Sequence, residues 1–328
     1  MTNVTRRDVF ATAAGAAAVS AVGGFNPFSM STAHAQGAGA GLTGVYRYKL
    51  GDIELIQVLD GARTFPMPEK FIVNVDKDKA LAAFESIHMP KGMVTISFSP
   101  LIVKSGGKTI AIDTGNGLGA FGATKGAVGN TRANMAAAGI DVGSVDTVLI
   151  SHFHGDHING LKNADGSPAY TKAEIMVPEV EQKFWTDESN ASKANGANKG
   201  NFANVKKVFD GLKTTPFAAG KEIAPGITAV ATPGHTPGHT SYIISSGSKK
   251  LVVQGDVTNI PAVFMRNPDW QLMFDNEGEL AVTTRRKFYD MVFAEKMPVV
   301  GYHFPFPAAG YVEKDGTGYR LIQVHALT

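Results

Sequence analysis

The sequence predicts an α/β fold, and three observations carry that prediction. Short apolar, β-branched runs, residues 145–150 and 251–253 among them, read as buried strands. Segments with helical spacing (131–138, 179–186, 202–212) alternate with them. The 37 glycines suit a loop-rich α/β enzyme better than a helical bundle. With 328 residues, 44% of them hydrophobic, the chain can form one large or two small domains with a real core.

Residues 1–35 read as a twin-arginine-type signal peptide. Arg6-Arg7 precedes an Ala/Gly/Val-rich run, and Ala33-His34-Ala35 offers a small-x-small cleavage site. That run is short and weakly hydrophobic for a spanning helix, which needs ~20 apolar residues. The expected partner is the export machinery, and the expected location is the periplasm or the outside after cleavage near Ala35. Residues 36–44 read as a flexible Gly/Ala linker, and 45–328 as the folded domain.

In order along that domain, residues 46–61 predict a hairpin turning at Gly51-Asp52. Residues 93–103 and 108–112 predict further strands, and Asp113-Thr114-Gly115 follows the latter. Residues 116–129 read as a plain loop or one wall of a pocket. Residues 174–177 read as a short strand, and the polar stretch 193–200 as an exposed loop.

The chemistry concentrates in Ser151-His152-Phe153-His154-Gly155-Asp156-His157, directly after the strand 145–150. Alternate residues of extended backbone share a face, so His152 and His154 can reach one ion together. Gly155 lets the chain bend, which aims Asp156 and His157 at a neighbouring point. Imidazole and carboxylate suit zinc and other borderline divalent metals. Three more strands end the same way: residues 227–232 run into Gly234-His235 and on to His239, residues 251–254 into Gly255-Asp256, and residues 298–301 into Tyr302-His303. Open α/β folds place ligands at such strand ends.

Composition narrows the alternatives. Lys+Arg is 31 against 29 Asp+Glu, with no basic block, so no nucleic-acid partner is expected. Cysteine is absent, so any metal must use His, Asp, Glu and water. No Gly-x-Ser-x-Gly nucleophile elbow occurs, and Ser151 reads as a packing residue.

Taken together, His152-x-His154-x-Asp156-His157, Gly234-His235, Gly255-Asp256 and Tyr302-His303 resemble the metallo-β-lactamase superfamily over residues 45–325. The resemblance implies an αββα sandwich. It implies His152, His154 and His235 as ligands of a first metal, Asp156, His157 and His303 as ligands of a second, and Asp256 as the bridge. Asp156 and Asp256 are then also the catalytic carboxylates, His239 stands beside the ligands, and Asp113 is structural. Two divalent ions per chain are implied, zinc in the first place, with manganese, cobalt or iron as other occupants. A metal-bridging hydroxide would attack a small apolar or aromatic phosphotriester, aryl ester or lactone.

Within the superfamily, Gly234-His235-Thr236-Pro237-Gly238-His239-Thr240, His303-Phe304-Pro305-Phe306-Pro307 and Gly318-Tyr319-Arg320 resemble exported methyl parathion hydrolase-type enzymes most. Quorum-quenching lactonases come next, and lactonase chemistry is the alternative main activity. Asn259 stands where those lactonases commonly carry tyrosine, and Tyr311 where relatives often show histidine. The expected pocket lining is Phe121, Trp185, Phe202, Phe264 and Met265, with Trp270, Met273 and Phe274 as further wall residues. Aromatics at 264–274 fit a homodimer surface as well as a pocket rim. Competing classes are a mononuclear iron oxygenase or glutathione thioester hydrolase of the same superfamily, and a non-catalytic exported metal-binding protein.

Overall fold

The structure is a computed structural model that describes residues 28–29, 44–194 and 196–324. The export segment and the linker lie outside the described residues, apart from Phe28–Ser29 and Gly44. Among the described residues, no helix is long and apolar enough to cross a membrane.

Strand β1 (Phe28–Ser29) pairs with β2 (Val45–Leu50), which turns at Gly51-Asp52 into β3 (Ile53–Val58). Next, β4 (Gly61–Pro66) is joined through α1 (Lys77–Glu85) to β5 (Met93–Phe98), and the two form a separate antiparallel ribbon. The first sheet resumes with β6 (Leu101–Ser105), β7 (Lys108–Ile112) and, after α2 (Gly117–Ala123) and α3 (Thr131–Ala137), β8 (Thr147–Leu149). Then come α4 (Gly155–Ile158), β9 (Glu174–Pro178), α5 (Glu179–Thr186), α6 (Glu188–Lys193), α7 (Gly196–Phe209) and β10 (Thr215–Phe217). A second sheet takes β11 (Glu222–Ala224), β12 (Ile227–Ala231), β13 (Thr240–Ser246) and β14 (Lys249–Val253). After α8 (Pro261–Phe264) and α9 (Gly278–Ala294) it is completed by β15 (Val299–Val300), β16 (Ala309–Asp315) and β17 (Gly318–Gln323).

The alternation of side chains explains the layers. Ile53, Leu55, Leu101, Val103, Ile110 and Ile112 point from the first sheet onto Ile227, Ala229, Tyr242, Ile244, Leu251 and Val253 of the second. Their neighbours Ile56, Val58, Ile102, Ala111 and Val148 point the other way and pack with residues of α3, α5 and α7. Val252 and Val299 likewise pack with Phe288, Tyr289 and Val292 of α9. Strands buried on both faces therefore read as continuous apolar runs. The result is two facing sheets flanked by helices, the αββα arrangement.

Two expected loops are helical. Residues 116–129 contain α2, and the stretch 193–200 holds the end of α6 and the start of α7, with which 202–212 is largely continuous. Glycine content suggests a loop at 116–129 and polarity an exposed loop at 193–200, yet exposed helices can be polar and glycine does not exclude a short helix.

Candidate metal centre

Strands β7, β8 and β9 are parallel, and so are β14 and β15; β12 runs in the same direction as β14 because two antiparallel steps separate them. Their carboxyl ends meet at one edge of the sandwich and bring the histidines and aspartates together.

The nitrogens converge tightly. His154 Nδ1 lies 3.1 Å from His152 Nε2 and 2.9 Å from His235 Nε2. Asp256 Oδ2 lies 3.3 Å from His235 Nε2 and 2.8 Å from His303 Nε2. His157 Nε2 lies 3.4 Å from Asp156 Oδ2 and 3.4 Å from Asp256 Oδ1. Three groups of donors can each hold an ion: His152/His154/His235, His152/His157/Asp256 and Asp156/His157/His303. All seven ligand residues expected from the sequence fall in these groups.

The donor set fits a metal on its own chemistry. His157 Nε2 and Asp256 Oδ1 are buried and have no hydrogen-bond partner, although they face one another. Buried polar atoms left unpaired are costly, and a cation between them removes the cost. Tetrahedral zinc with 2.0–2.1 Å nitrogen bonds sets its ligand nitrogens roughly 3.3 Å apart, close to the spacing of the three imidazoles.

Four of the ligands, His152, His157, His235 and His303, are fixed from behind. Asp113 adopts a left-handed conformation, φ 61°, at the end of β7, a strained choice for a non-glycine residue. From there its carboxylate accepts from Ser151 N, Ser151 Oγ and His157 Nδ1, each at 2.8 Å. Ser151 Oγ also meets His152 Nδ1 at 3.0 Å, so Ser151 belongs to the ligand scaffold rather than to simple packing. His235 Nδ1 meets Asp275 Oδ1 at 2.8 Å, and His303 Nδ1 donates to Ser97 O at 2.8 Å. Such partners fix tautomer and ring orientation.

His239 plays a related part without being a ligand. Its Nδ1 lies 3.1 Å from Thr232 O, to which it can only donate, and its Nε2 accepts from Asp256 N at 2.9 Å. Burial and the neighbouring His235 push its pKa down to about 3, so it stays neutral in that tautomer. Gly255, at φ 59°, is required beside it, because a Cβ there would lie 2.7 Å from His239 Nε2.

One residue that the sequence reading missed ties two ligand loops together. Glu181 is fully buried. Its Oε1 accepts from Phe153 N at 3.0 Å and Trp185 Nε1 at 2.7 Å, and its Oε2 from Gly238 N at 2.7 Å. Burial raises its pKa. A glutamate within a helix gives no sequence signal for this role.

The clustered donors shift one another strongly. Burial, then His235, lowers His154 to about 3. For His235, burial alone would lower the pKa, but Asp256 and Asp275 prevail and raise it to about 9. Asp256 is held well below the usual carboxylate range by His303 and His157, against the effect of burial.

The centre forms the floor of a cavity of about 490 Å³. The donors His154, Asp156, His235, Asp256 and His303 reach it, and Asp156 keeps 22% of its side chain exposed. The walls combine Phe65, Ile96, Phe98, Met273 and Phe274 with Arg63, Asn259 and other asparagines. Of the wall residues expected from sequence, Met273 and Phe274 are there. Phe121 is not: it sits on α2 with 42% of its surface exposed, outside the lining. Trp185 and Phe202 pack on each other, ring centroids 4.6 Å apart, and line a different cavity of about 610 Å³ between α5 and α7. Trp185 nonetheless sets its ring edge-on to His154 at 6.2 Å. Phe264 and Met265 are buried in core clusters, where the short helix α8 turns them inward, and Trp270 is buried with Phe264. Phe65, Ile96 and Phe98 were missed because they reach the site on the β4–β5 ribbon, far away in sequence.

A model of the metallo-beta-lactamase superfamily matches residues 94–297, more than half of the chain. The chain belongs to the metallo-beta-lactamase superfamily. An N-acyl homoserine lactonase of Bacillus sp is 27% identical over 157 residues, which are 47% of this chain and 53% of that protein. The match thus spans about half the length of the curated relative. Among solved structures, the hydrolase AbOPH of the beta lactamase superfamily superposes with a TM-score of 0.79 at 26% identity, covering 88% of this chain and 100% of that one. AidC, a dizinc quorum-quenching lactonase, superposes with a TM-score of 0.77 at 23% identity over 88% and 99%, a likeness of fold. The His/Asp clusters of this superfamily member could hold divalent metal.

Proposed function

We infer that the protein is a dinuclear metal-dependent hydrolase of small uncharged or partly charged esters: lactones, aryl esters and phosphotriesters. The observation that supports this reading best is the placement of the donors at the floor of an open cavity, with Asp156 still partly exposed. Catalytic sites keep an open position where structural sites are closed, which speaks against mere sequestration. His152, His154 and His235 would hold one ion, Asp156, His157 and His303 the other, and Asp256 reaches both groups. Divalent ions there would lower the pKa of a coordinated water from 15.7 towards ~7 and polarise the electrophile.

The remaining work falls to the chain. Phe65, Ile96, Phe98, Met273 and Phe274 exclude water and bury the apolar part of the substrate, with a gain of ~25 cal/mol per Å². Asn259, 5% exposed, is a polar member of the same lining. A lactone as main substrate is the second reading, favoured by the lactonase relative.

The deciding experiment is turnover by metal-quantified protein of paraoxon, 4-nitrophenyl acetate, acyl-homoserine lactones, γ-lactones and a β-lactam. Two metals per chain and hydrolysis of any ester class support the reading. Lactone turnover with little phosphotriesterase activity selects the second reading. Inactivity on the whole panel at full metal content would sink the hydrolase assignment for these classes.

A further inference from the structure

The β4–β5 ribbon presents one face to the cavity, and one residue on that face breaks its pattern. Register places Phe65 opposite Val94, Arg63 opposite Ile96 and Gly61 opposite Phe98. Directly opposed residues share a face, so Arg63 stands in a row with Phe65, Val94, Ile96 and Phe98. It is the only charged side chain in that row. A charge on an otherwise apolar face, with no structural compensation, is a mark of function.

Arg63 is exposed and lacks a protein partner. Among the described residues, Arg47 pairs with Glu54, Arg132 with Asn163, Arg266 with Asp315, Arg286 with Asp269 and Arg320 with Glu313. Buried Arg285 donates to three backbone carbonyls. Arg63 alone has neither a hydrogen bond nor an ion pair, yet it lines the cavity over the metal donors. The carboxylates it shares that cavity with, Asp156 and Asp256, are already engaged by His157, His235 and His303. The wall thus offers a planar, always-charged fork with no protein acceptor, next to an apolar surface.

We propose that Arg63 forms an anion subsite, and that the preferred substrates are esters or lactones carrying a carboxylate on the arm away from the reacting carbonyl. This rests on the hydrolase reading above for the reaction, but not for the binding. The apolar row receives the chain of the substrate, and the guanidinium receives its terminal carboxylate in a bidentate pair. At an exposed guanidinium a pair of this kind corresponds to up to about fivefold in affinity.

The test uses matched probes on the metal-loaded protein. The 4-nitrophenyl monoester of glutaric acid and 4-nitrophenyl pentanoate differ in the terminal carboxylate. The corresponding 4-nitroanilides serve as slow-reacting ligands for calorimetry. The expected result is a preference for the acidic member of each pair of roughly two- to fivefold, expressed in KM and in Kd. In Arg63→Met the ratio falls towards one, in Arg63→Lys it is intermediate, and added salt reduces the wild-type ratio. Equal affinity of the two anilides in wild type, or an undiminished preference in Arg63→Met, overturns the subsite. Charge-selective anilide binding without ester turnover would keep the subsite and sink the hydrolase reading. Ester turnover without charge selectivity would do the reverse.

Discussion

The floor and the wall of the cavity are built by opposite rules. On the floor, His152, His157, His235 and His303 are almost completely buried, and each has a polar partner on the ring nitrogen that faces away from the site. On the wall, Phe65 and Phe274 are half-buried, Met273 is 37% exposed, and Arg63 has no protein partner. The floor sits at the ends of buried strands, where the backbone is already fixed. The wall comes from a two-stranded ribbon and a loop outside the two large sheets. The difference teaches where each property resides: the reaction is set by rigid, over-determined groups, and the choice of substrate by a surface that can vary without disturbing them.

The strongest way to break this division is to attack the floor. Asp256→Ala removes the carboxylate that approaches His235, His157 and His303. Turnover should fall by more than about a thousandfold, beyond the 10–100-fold that outer partners typically carry, and metal content should drop while circular dichroism keeps the α/β signature. Retained activity at reduced metal content would refute the ligand assignment.

One layer out, Asp275→Asn tests the support rather than the ligand. Metal affinity should fall roughly 10–100-fold. The same variant has a pH signature in chelated protein. His235 is raised from 6.5 to about 9 by Asp256 and Asp275 after burial has pulled the other way. Its contribution to stability is therefore complete below about 6.5 and lost as pH rises through about 9. The gap in melting temperature between wild type and variant should narrow across that window, and a constant gap would show that Asp275 acts on His235 without its charge.

The same division governs what was legible in the sequence. The floor was readable because its signals are local: His-x-His-x-Asp-His follows one apolar strand, and Gly-His, Gly-Asp and Tyr-His follow three others. Strand ends of a parallel arrangement must lie on one edge, so local spacing sufficed. The strands themselves were readable as apolar runs because both their faces are covered. Of the wall, Met273 and Phe274 were readable, but its ribbon members, from residues 63–98, were not, since they reach the site only after the ribbon folds back. Aromatic identity misled there. Phe264 and Trp185 carry the same sequence signal as Phe98, and only packing decides that they fill a core or a neighbouring cavity. Glu181 was invisible for a further reason: its partners are backbone amides, which no sequence pattern displays.

Glu181→Gln probes the join between the two ligand loops. An amide can still accept from one side, but its NH₂ must then face either Phe153 N and Trp185 Nε1 or Gly238 N, donor against donor. A buried donor left unsatisfied costs about 1–3 kcal/mol. Stability should drop by that amount, with kcat falling by a smaller factor than in Asp275→Asn because no ligand loses its direct partner. An unchanged melting temperature would mean that the loops hold their geometry without this carboxylate.

The smallest effect belongs to the wall. Met273→Ala removes an exposed thioether in the cavity lining. Partial burial of such a side chain by an apolar substrate is worth about 1 kcal/mol, at ~25 cal/mol per Å². That corresponds to roughly a fivefold rise in KM for an apolar ester. Because uniform binding is lost rather than transition-state binding, kcat should stay close to wild type, and metal content and melting temperature should not move. The split is the informative part. A fall in kcat without a change in KM would place Met273 with the reacting atoms and erase the distinction between floor and wall, whereas a change in KM alone would show that specificity can be retuned at the rim while the metal centre is left as it is.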